Sequence, residues 1–335
     1  MAAYTTIDNP ELYFQTKLYT GNGSTQSITL DGDEDMQPDF LWIKDRDNAT
    51  SHQLVDVVRG SDEVLCADES YALTTDSNRV SSLDADGFSV GSNSNVNTDT
   101  ANIVSWCWKE SATAGFDIVG YTGNGTDDTD IAHSLSAVPH VIIVKNRTEA
   151  YGWNVYHHKN TSAPETDALY LETNAATADT ADSWSDEAPT SSVFTLGSGN
   201  GVNKDTNALI AYLWTDIQGF SKFGSYIGNG VVDDGPFIYT GFRPAFVLCK
   251  RTDSTSSGAW VLWDNKRNPF NASENYLVVD TSGAEGSSGT SIDMLSNGFK
   301  PYDTGACNIS GGTFIYMAFA EAPFVNSNGV PCNAR

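Results

Sequence analysis

The 335-residue sequence is poor in basic side chains: 18 Lys and Arg residues stand against 43 Asp and Glu residues, for a formal net charge of −25 at pH 7. Binding to nucleic acid requires basic side chains that neutralise phosphates, so this composition argues against a nucleic-acid partner. It also disfavours contact with anionic membrane surfaces. The ordinary meaning of such a charge is high solubility in a salty medium, where charges beyond about 8–10 Å are screened.

Cysteine is scarce, and its spacing excludes the usual cysteine sites. The cysteines are five in number, widely spaced and without any C-x-x-C pair: Cys66, Cys107, Cys249, Cys307 and Cys332. Neither a zinc ribbon nor a redox pair is therefore supported. Cys107 and Cys249 lie inside apolar strand patterns, where a free cysteine behaves as a small hydrophobic residue. This usage is typical of assembly in a reducing cytoplasm.

Long apolar runs are absent as well. No stretch approaches the length of a membrane-spanning helix, and M-A-A-Y-T-T-I-D-N-P-E at the start lacks the basic and apolar regions of a signal peptide. We therefore expect no membrane insertion. No window shows the sustained apolar spacing of three and four that long helices require. Short aromatic-rich segments between clusters of Gly, Ser, Thr, Asn and Asp instead predict an all-β chain.

One motif occurs three times, at Gln37–Arg46, Val138–Arg147 and Arg243–Arg251. In each copy a proline is followed by four or five apolar residues and then a lysine. The prolines stand at 38, 139 and 244, so the steps are 139 − 38 = 101 and 244 − 139 = 105 residues. Proline cannot donate to a sheet ladder and is tolerated at the first position of a strand. The motif predicts a buried strand with a sharp start, repeated at the period of a small domain.

Two further landmarks recur in the same order. Tyr-x-Gly-Asn-Gly occurs at 19–23, 121–125 and 226–230, preceded by Phe14, Phe116 and Phe220. Asn-Gly favours the positive-φ turns that connect hairpin strands. The closing segments I-V-S-W-C-W, L-I-A-Y-L-W and F-I-Y-M-A-F begin at 103, 209 and 314. Three landmarks in one order, three times, indicate an internal repeat.

The predicted fold is therefore three tandem antiparallel β-sandwich modules of jelly-roll or lectin-like type, each of about 100 residues. We assign an N-terminal arm to residues 1–12, modules to 13–110, 115–216 and 219–325, and a C-terminal tail to 326–335. The linkers are short, so the modules should pack on one another.

Catalytic patterns are missing. No Ser-His-Asp order with a nucleophile elbow, phosphate loop or dinucleotide glycine pattern is present. Glu165 and Asp167 begin the E-x-D-x-x-E of lectin-like hydrolases, but Tyr170 stands at the last glutamate. The adjacent His157 and His158 would point to opposite faces of a strand and cannot chelate one metal. The Asp-rich stretches 31–35 and 84–87 suit plain turns, with calcium as the alternative. We expect no enzyme activity, metal or cofactor.

Aromatic residues offer candidates for glycan or receptor binding. Trp153 and Trp260 occupy corresponding strands, and His157 aligns with Asp264. Repeated aromatic residues at matching positions usually belong to a core. Trp184 lies outside the repeat pattern in a polar, Asp-rich segment and is the best candidate for exposure. The candidate binding residues are accordingly Trp184, Trp153, His157 and Trp260.

Several segments together resemble a repeated domain of virion structural proteins from tailed phages, especially marine and cyanobacterial phages. They include G-F-S-K-F-G-S-Y-I-G-N-G from 219, D-G-P-F-I-Y-T-G-F-R-P-A-F-V-L-C-K-R from 234 and F-I-Y-M-A-F-A-E-A-P-F from 314. The resemblance implies a lectin-like β-sandwich fold without catalytic residues. It also implies a place on the virion surface after assembly in the host bacterial cytoplasm.

Three functions remain open. The first is a tail-fibre-like surface protein that contributes to host attachment, with a host-surface glycan as candidate partner. The second is a capsid decoration protein or head fibre on the outer shell, and the third a glycan-degrading enzyme. The partners implied are other virion proteins and further copies of the chain. The resemblance favours a homotrimer.

The arm has no counterpart in the repeats. Its Tyr4, Ile7 and Leu12 are apolar groups on a segment too short to bury them within itself. Burial of one such side chain is worth roughly 1.5–3 kcal/mol, so three could dock a strap into a virion partner. The alternatives are a frayed terminus, an arm folded against the first module, and attachment through the C-terminal tail.

Overall fold

The computed structural model describes residues 4–287, 289, 291–302 and 304–333 and is all-β. Strands account for 42% of the residues and helices for 6%. The helices are single turns: α1 (Ser94–Asn97), α2 (Ala181–Trp184), α3 (Asn200–Asn203) and 3₁₀ turns at Pro10–Leu12 and Pro164–Thr166. The predicted all-β class with antiparallel sheets is confirmed. Within the described residues, no helix has the length and apolar character needed to cross a membrane.

The first third of the chain forms one large and one small sheet. Its strands are β1 (Phe14–Thr20), β2 (Gln26–Ile28), β3 (Phe40–Asp45), β4 (Gln53–Asp56), β5 (Gly60–Cys66), β6 (Thr74–Thr75), β7 (Val80–Asp84), β8 (Gly87–Val90) and β9 (Asn102–Trp108). The large sheet has the order β1-β9-β3-β4-β5-β6, and the small sheet has the order β2-β8-β7. Leu41 and Ile43 of the large sheet are buried in one cluster with Phe88 and Val90 of the small sheet.

The second third repeats this layout. Its strands are β10 (Phe116–Thr122), β11 (Thr129–Ala132), β12 (Val141–Asn146), β13 (Trp153–His157), β14 (Asp167–Tyr170), β15 (Ala178–Asp179), β16 (Val193–Leu196) and β17 (Ala208–Trp214). The large sheet has the order β10-β17-β12-β13-β14-β15, and β11 pairs with β16. Ile142 and Val144 are buried in a cluster with Phe194 and Leu196 of the small sheet.

The last third has the same order with one strand fewer in its large sheet. Its strands are β18 (Ser221–Ile227), β19 (Ile238–Tyr239), β20 (Phe242–Arg251), β21 (Trp260–Asp264), β22 (Leu277–Val278), β23 (Ile292–Leu295), β24 (Gly298–Pro301) and β25 (Thr313–Pro323). The large sheet has the order β18-β25-β20-β21-β22, and the small sheet has the order β19-β24-β23.

The proline motif marks an internal strand of each large sheet, namely β3, β12 or β20. Ile142, Val144, Phe246 and Leu248 are at most 2% exposed, so their predicted burial is confirmed. The predicted start is wrong in the last third, where β20 begins before Pro244. Register shifts flank that proline. A bulge is one place where a strand tolerates a residue without an N–H group.

The Tyr-x-Gly-Asn-Gly turns have a different role from the predicted hairpins. Gly23, Gly125 and Gly230 have φ of 65–67°, as Asn-Gly favours. The turns do not join neighbouring strands, because β1 pairs with β9 and β2 with β8. They carry the chain from the large to the small sheet. In each third a buried asparagine holds the turn by accepting from a backbone N–H within it: Asn97, Asn203 and Asn308.

The three large sheets share one hydrophobic core. Phe40 of β3 lies 4.6 Å from Tyr212 of β17 between ring centroids, and Trp108 of β9 lies 5.6 Å from Phe246 of β20. One cluster includes buried residues of all three sheets. The expectation that each repeat buries its own core is therefore incomplete, since one face of each large sheet faces the other two.

The thirds are joined in a closed ring. At each joint a backbone N–H of one third donates to a carbonyl oxygen directly after the motif strand of another. The bonds are 2.9, 2.9 and 2.8 Å long: Leu73 to Arg147, Thr177 to Thr252 and Glu285 to Arg46. The last joint connects the end of the chain to its beginning, which chain connectivity does not require.

Candidate functional site

The motif lysines are structural. Lys44, Lys145 and Lys250 are fully buried, and burial lowers the pKa of each to about 8. Lys145 Nζ donates to Ser70 O in the first third at 2.8 Å, and Lys250 Nζ to Ala175 O in the second at 2.7 Å. Lys44 donates to carbonyl oxygens of its own loop. These amines satisfy backbone acceptors at or near the joints, as buried charges must be hydrogen-bonded.

A ring of side chains reinforces the same joints. Trp153 and Trp260 pair with the motif lysines Lys145 and Lys250 across the sheet, and His52 directly precedes Gln53, which pairs with Ile43 next to Lys44. Their ring nitrogens donate to carbonyl oxygens of a neighbouring third, at 3.2, 2.9 and 2.9 Å: Val278, Cys66 and Tyr170. His52 Nδ1 accepts from Trp42 Nε1 at 2.9 Å, so its ring is neutral with the proton on Nε2. Burial lowers the pKa of His52 to about 3.

A second ring lies four residues further along the same strands. Asp56 accepts from Tyr212 Oη at 2.6 Å, and Asp264 accepts from Trp106 Nε1 at 3.1 Å. His157 holds the equivalent place in the second third and donates from Nε2 to Tyr316 O at 3.2 Å. Each bond crosses to another third. Burial lowers the pKa of His157 to about 3, and each aspartate pairs with a buried arginine, Arg59 or Arg267.

The predicted glycan-binding residues lie inside the protein. Trp153, Trp184, His157 and Trp260 are 0–2% exposed, so none presents a ring to a ligand. Three of them form the joints described above. Trp184 ends α2 and packs edge-on against Tyr156, with 5.9 Å between ring centroids. Its predicted exposure is wrong because the polar segment folds as a helical turn that inserts this ring into the core.

The described part of the arm, residues 4–12, packs against the last third, and its 3₁₀ turn also contacts β1 of the first third, where Gln15 Nε2 donates to Glu11 O. Tyr4 Oη is 2.9 Å from Tyr239 Oη and donates to Gly241 O at 3.0 Å. Ile7 is 3% exposed within the shared core, and Leu12 is 36% exposed. Two of the three candidate attachment residues therefore have partners within the chain. A role of the arm in attachment stays a prediction.

The second third carries an open cleft, which we call the tyrosine groove. It has a volume of about 230 Å³ and lies where β13 and β14 meet α2 and α3. Its lining residues are Tyr151, Gly152, Asn154, Tyr170, Thr180, Asp182, Ser183, Gly199, Gly201 and Val202. The groove joins two half-buried tyrosines to small and polar groups, a composition suited to binding.

Neighbouring residues hold the walls of the groove. Lys204 Nζ donates to Tyr151 Oη at 3.2 Å, lies 5.4 Å from the centre of that ring and pairs with Glu149 at 2.7 Å. Asn154 is 6% exposed, and its Oδ1 accepts from Ser183 Oγ at 3.2 Å. Its Nδ2 has a long contact of 3.5 Å with the carbonyl oxygen of residue 152. That amide N–H retains donor capacity toward a ligand.

In the first third a longer side chain occupies the corresponding place. Arg79 and Ser183 are equivalent, because each carbonyl accepts from a glycine N–H, Gly91 or Gly197, at 2.9 or 3.1 Å. The Arg79 guanidinium donates to Gln53 Oε1 at 2.7 Å. In the second third, Ser183 Oγ makes the corresponding bond to Oδ1 of Asn154, the residue equivalent to Gln53.

The adjoining helix turn shows the same contrast. Asn93 and Asn95 of the first third correspond to Gly199 and Gly201 by their places at the starts of α1 and α3. The groove thus exists because larger side chains are replaced by serine and glycine. The sequence contained this signal: G-S-N-S-N begins at 91 and G-S-G-N-G at 197.

One carboxyl pair lies near the joint between the first two thirds. Burial, together with a hydrogen bond to Asp117, raises the pKa of Glu110 to about 7. The two carboxyl groups of a glycoside hydrolase stand about 5 Å or more apart, on either side of the glycosidic bond. Two carboxyl groups that are hydrogen-bonded to each other are closer together than that. Neither residue lines the tyrosine groove. Among the described residues, no group of three or more His, Cys, Asp or Glu side chains is placed to hold a metal ion.

The sequence from residue 9 to residue 323 matches the family described as "Domain of unknown function (DUF7483)". No curated protein and no solved structure matches the chain.

Proposed function

The chain belongs to the DUF7483 family, and we propose that it is a surface protein of a tailed-phage virion that contributes to host attachment. In this proposal the three sheet pairs are tandem β-sandwich modules of lectin-like type, closed into one rigid body. The resemblance of the repeated segments to phage structural proteins supplies the biological setting. The protein would assemble in the host cytoplasm and act on the virion surface.

The observation that carries a binding role is the tyrosine groove. It is open and lined by two tyrosine rings beside polar groups. The ionisable groups at the joints between the thirds, by contrast, are buried and paired within the protein. The groove therefore lies on a preorganised scaffold, which lowers the cost of ordering on binding.

A glycan-degrading enzyme receives less support. The carboxyl groups of Glu110 and Asp117 lie side by side, since both accept from the Ile118 N–H group. Asp182 is the one carboxylate among the described residues that line the groove. Glycoside hydrolysis ordinarily uses two carboxyl groups, one on each side of the scissile bond. No cofactor enters the proposed function.

The predicted homotrimer is part of the proposal, with a constraint from the fold. One chain already buries the inner faces of its three large sheets. Further copies would have to meet through outer surfaces. Sedimentation equilibrium of the purified chain measures this association, and a monomer at high concentration and on the particle would contradict it.

Labelling of purified virions with a specific antibody tests the proposal. We expect label at the tail tip or fibres, and we expect soluble protein to slow phage adsorption by competing for the receptor. Absence of the protein from purified virions would overturn the virion assignment. If the antibody labels virions but soluble protein does not slow phage adsorption, the role in host attachment is refuted and the virion assignment stands.

A capsid decoration protein is the second candidate, favoured by the distribution of exposed apolar side chains. Many of them lie in the last third: Ile227, Val231, Val232, Phe237, Tyr239, Phe270 and Tyr302, at 36–76% exposure. Concentrated exposed apolar groups are typical of interaction surfaces. Antibody label confined to the icosahedral shell would favour this function over the tail-fibre function.

A further inference from the structure

We propose that the tyrosine groove binds one uncharged pyranose ring of a glycan, stacked on Tyr151 or Tyr170 and hydrogen-bonded to Asn154 and Asp182. This inference deepens the proposed function and rests on it for the source of the glycan. The volume of about 230 Å³ is smaller than the about 300–1,000 Å³ of pockets for drug-sized ligands. The groove has room for a single sugar ring with the rest of the chain in solvent.

The charges around the groove select against anions. Among the described residues that line it, none is cationic, and Asp182 contributes an exposed carboxylate. Lys204, which donates to Tyr151 Oη, is paired with Glu149. A phosphate or carboxylate in the groove would meet Asp182 without a compensating cation. Sialylated and phosphorylated sugars are therefore disfavoured relative to neutral ones.

The hydrogen-bonding groups match sugar hydroxyls. Asn154 Nδ2 offers a donor whose protein contact is 3.5 Å long, and Asp182 offers acceptors. Adjacent hydroxyls on a sugar ring both donate and accept, so they can use the two groups together. A quaternary ammonium could stack on the tyrosines and meet Asp182, but it has no acceptor for the amide of Asn154. The donor therefore favours a sugar over a cation.

The tyrosines supply the apolar side of the site. The C–H groups on one face of a pyranose carry partial positive charge, and the face of an aromatic ring is negative. Tyr151 Oη accepts from Lys204, and Tyr170 at the end of β14 pairs with Asn154 of β13. Rings that are already held in place lose little freedom when a ligand binds.

The first third provides the design of the test. There Arg79 fills the equivalent space with its guanidinium on Gln53. Ser183→Arg should fill the tyrosine groove in the same way, with Asn154 as the amide acceptor. Arg79→Ser is the matched control, since it changes the equivalent position in the first third of the chain, outside the tyrosine groove. Tyr170→Ala and Tyr71→Ala form a second pair, because Tyr71 is 67% exposed in the first third.

The experiment measures binding of the full chain by ligand-observed NMR. The probes are neutral oligomers of glucose, galactose, mannose and N-acetylglucosamine, with oligosialic acid and choline as competitors. We expect binding to at least one neutral oligomer and none to oligosialic acid. Ser183→Arg and Tyr170→Ala should weaken it at least tenfold, while Arg79→Ser and Tyr71→Ala leave it within twofold. Circular dichroism of each variant separates loss of binding from loss of fold.

Any of three outcomes would overturn the inference. The first is no binding of any neutral oligomer by folded protein, and the second is choline or oligosialic acid bound more tightly than every neutral oligomer. Neither bears on the presence of the protein in virions, which antibody labelling decides separately. Equal loss of binding in Arg79→Ser and Ser183→Arg would place the sugar outside the groove and would also overturn it.

Discussion

The first and second thirds share one framework and differ on its outer side, where Arg79, Asn93 and Asn95 correspond to Ser183, Gly199 and Gly201. At the joints their residues change type and keep the same bond: His52 and Trp153 both donate a ring N–H to a carbonyl oxygen of a neighbouring third. On the outer side, Arg79 closes the space that Ser183 leaves open. Residues at the joints are constrained because each must keep a hydrogen bond to a neighbouring third. The side chains of Arg79 and Ser183 bond within their own thirds and cross no joint, so this position can change without breaking a joint.

The largest effect is expected where a joint also holds a buried ion pair. Asp56→Ala leaves the Arg59 guanidinium buried without its carboxylate and removes the acceptor of Tyr212 Oη. Loss of one partner of a buried pair typically costs about 3–5 kcal/mol. Asp264→Ala should cost less, because Arg267 keeps a bond of 2.9 Å to Glu285. Urea unfolding measures both free energies.

Asp31→Ala serves as the control for this pair of variants, because Asp31 is 56% exposed in its ion pair. An exposed pair is worth about 0–1 kcal/mol. If Asp56→Ala were no more destabilising than Asp31→Ala, the joint between the first two thirds would not exist in solution.

The next effect concerns the shared core. Leu248 and Ile143 hold matching places in β20 and β12 and are 2% and 5% exposed. Truncation of either to alanine should lower the free energy of unfolding by about 2–5 kcal/mol. Val232→Ala, at a side chain that is 58% exposed, should stay near the native value. Unchanged unfolding of Leu248→Ala would show that the strand assignment is wrong.

The joints should also be sensitive to acid. The folded pKa values of His52 and His157 are about 3, against 6.5 for an unfolded histidine. The unfolded chain therefore binds protons first, so the stability present above pH 6.5 is lost as pH falls toward 3. At pH 4.5 each ring should cost about 2–3 kcal/mol relative to pH 7.

A variant isolates this contribution from that of the many carboxylates. His157→Asn should lose about 2–3 kcal/mol less than the native protein between pH 7 and pH 4.5. His133→Gln is the control and should follow the native curve, since His133 directly follows β11 and its ring contacts Thr190 O within the same third. Parallel curves for all three proteins in urea unfolding would contradict the buried, neutral state of His157.

The smallest stability effect is expected from exchange of the outer residues. Arg79→Ser removes a partly exposed pair with Asp76 and the bond to Gln53, for a loss of about 1 kcal/mol. Ser183→Arg enters an existing cleft and should change the free energy of unfolding by less than about 1 kcal/mol. Thermal unfolding measures both. A strong destabilisation by Ser183→Arg would mean that the two positions are not equivalent.

Much of the fold could be predicted from the sequence. The proline motif located β3, β12 and β20, and the closing segments located β9, β17 and the first part of β25. These strands are apolar on both faces, so their pattern is strong. Strand β7 (Val80–Asp84) was missed, because its V-S-S-L-D has one buried residue and resembles a turn.

The joints and the groove could not be predicted in the same way. Their residues lie far apart in sequence, as Asp264 and Trp106 do, and equivalent positions hold different types, as His52 and Trp153 do. An aromatic residue in a repeat does not reveal whether it faces solvent or another sheet. Trp184 has polar neighbours in sequence and an apolar core in space.

The central claim is that the end of the chain closes onto its beginning, and paired cysteines test it most directly. Glu285 N donates to Arg46 O at 2.8 Å, and the two side chains point toward each other in an ion pair of 2.8 Å, so cysteines at these positions should come within reach of a disulfide. Arg46→Cys with Glu285→Cys should therefore give an intrachain disulfide under mild oxidation, mapped by peptide mass spectrometry. Leu73→Cys with Arg147→Cys is the control, since that joint connects neighbouring thirds. Both bridges are expected; a bridge in the control alone would show an open array and contradict the closed ring.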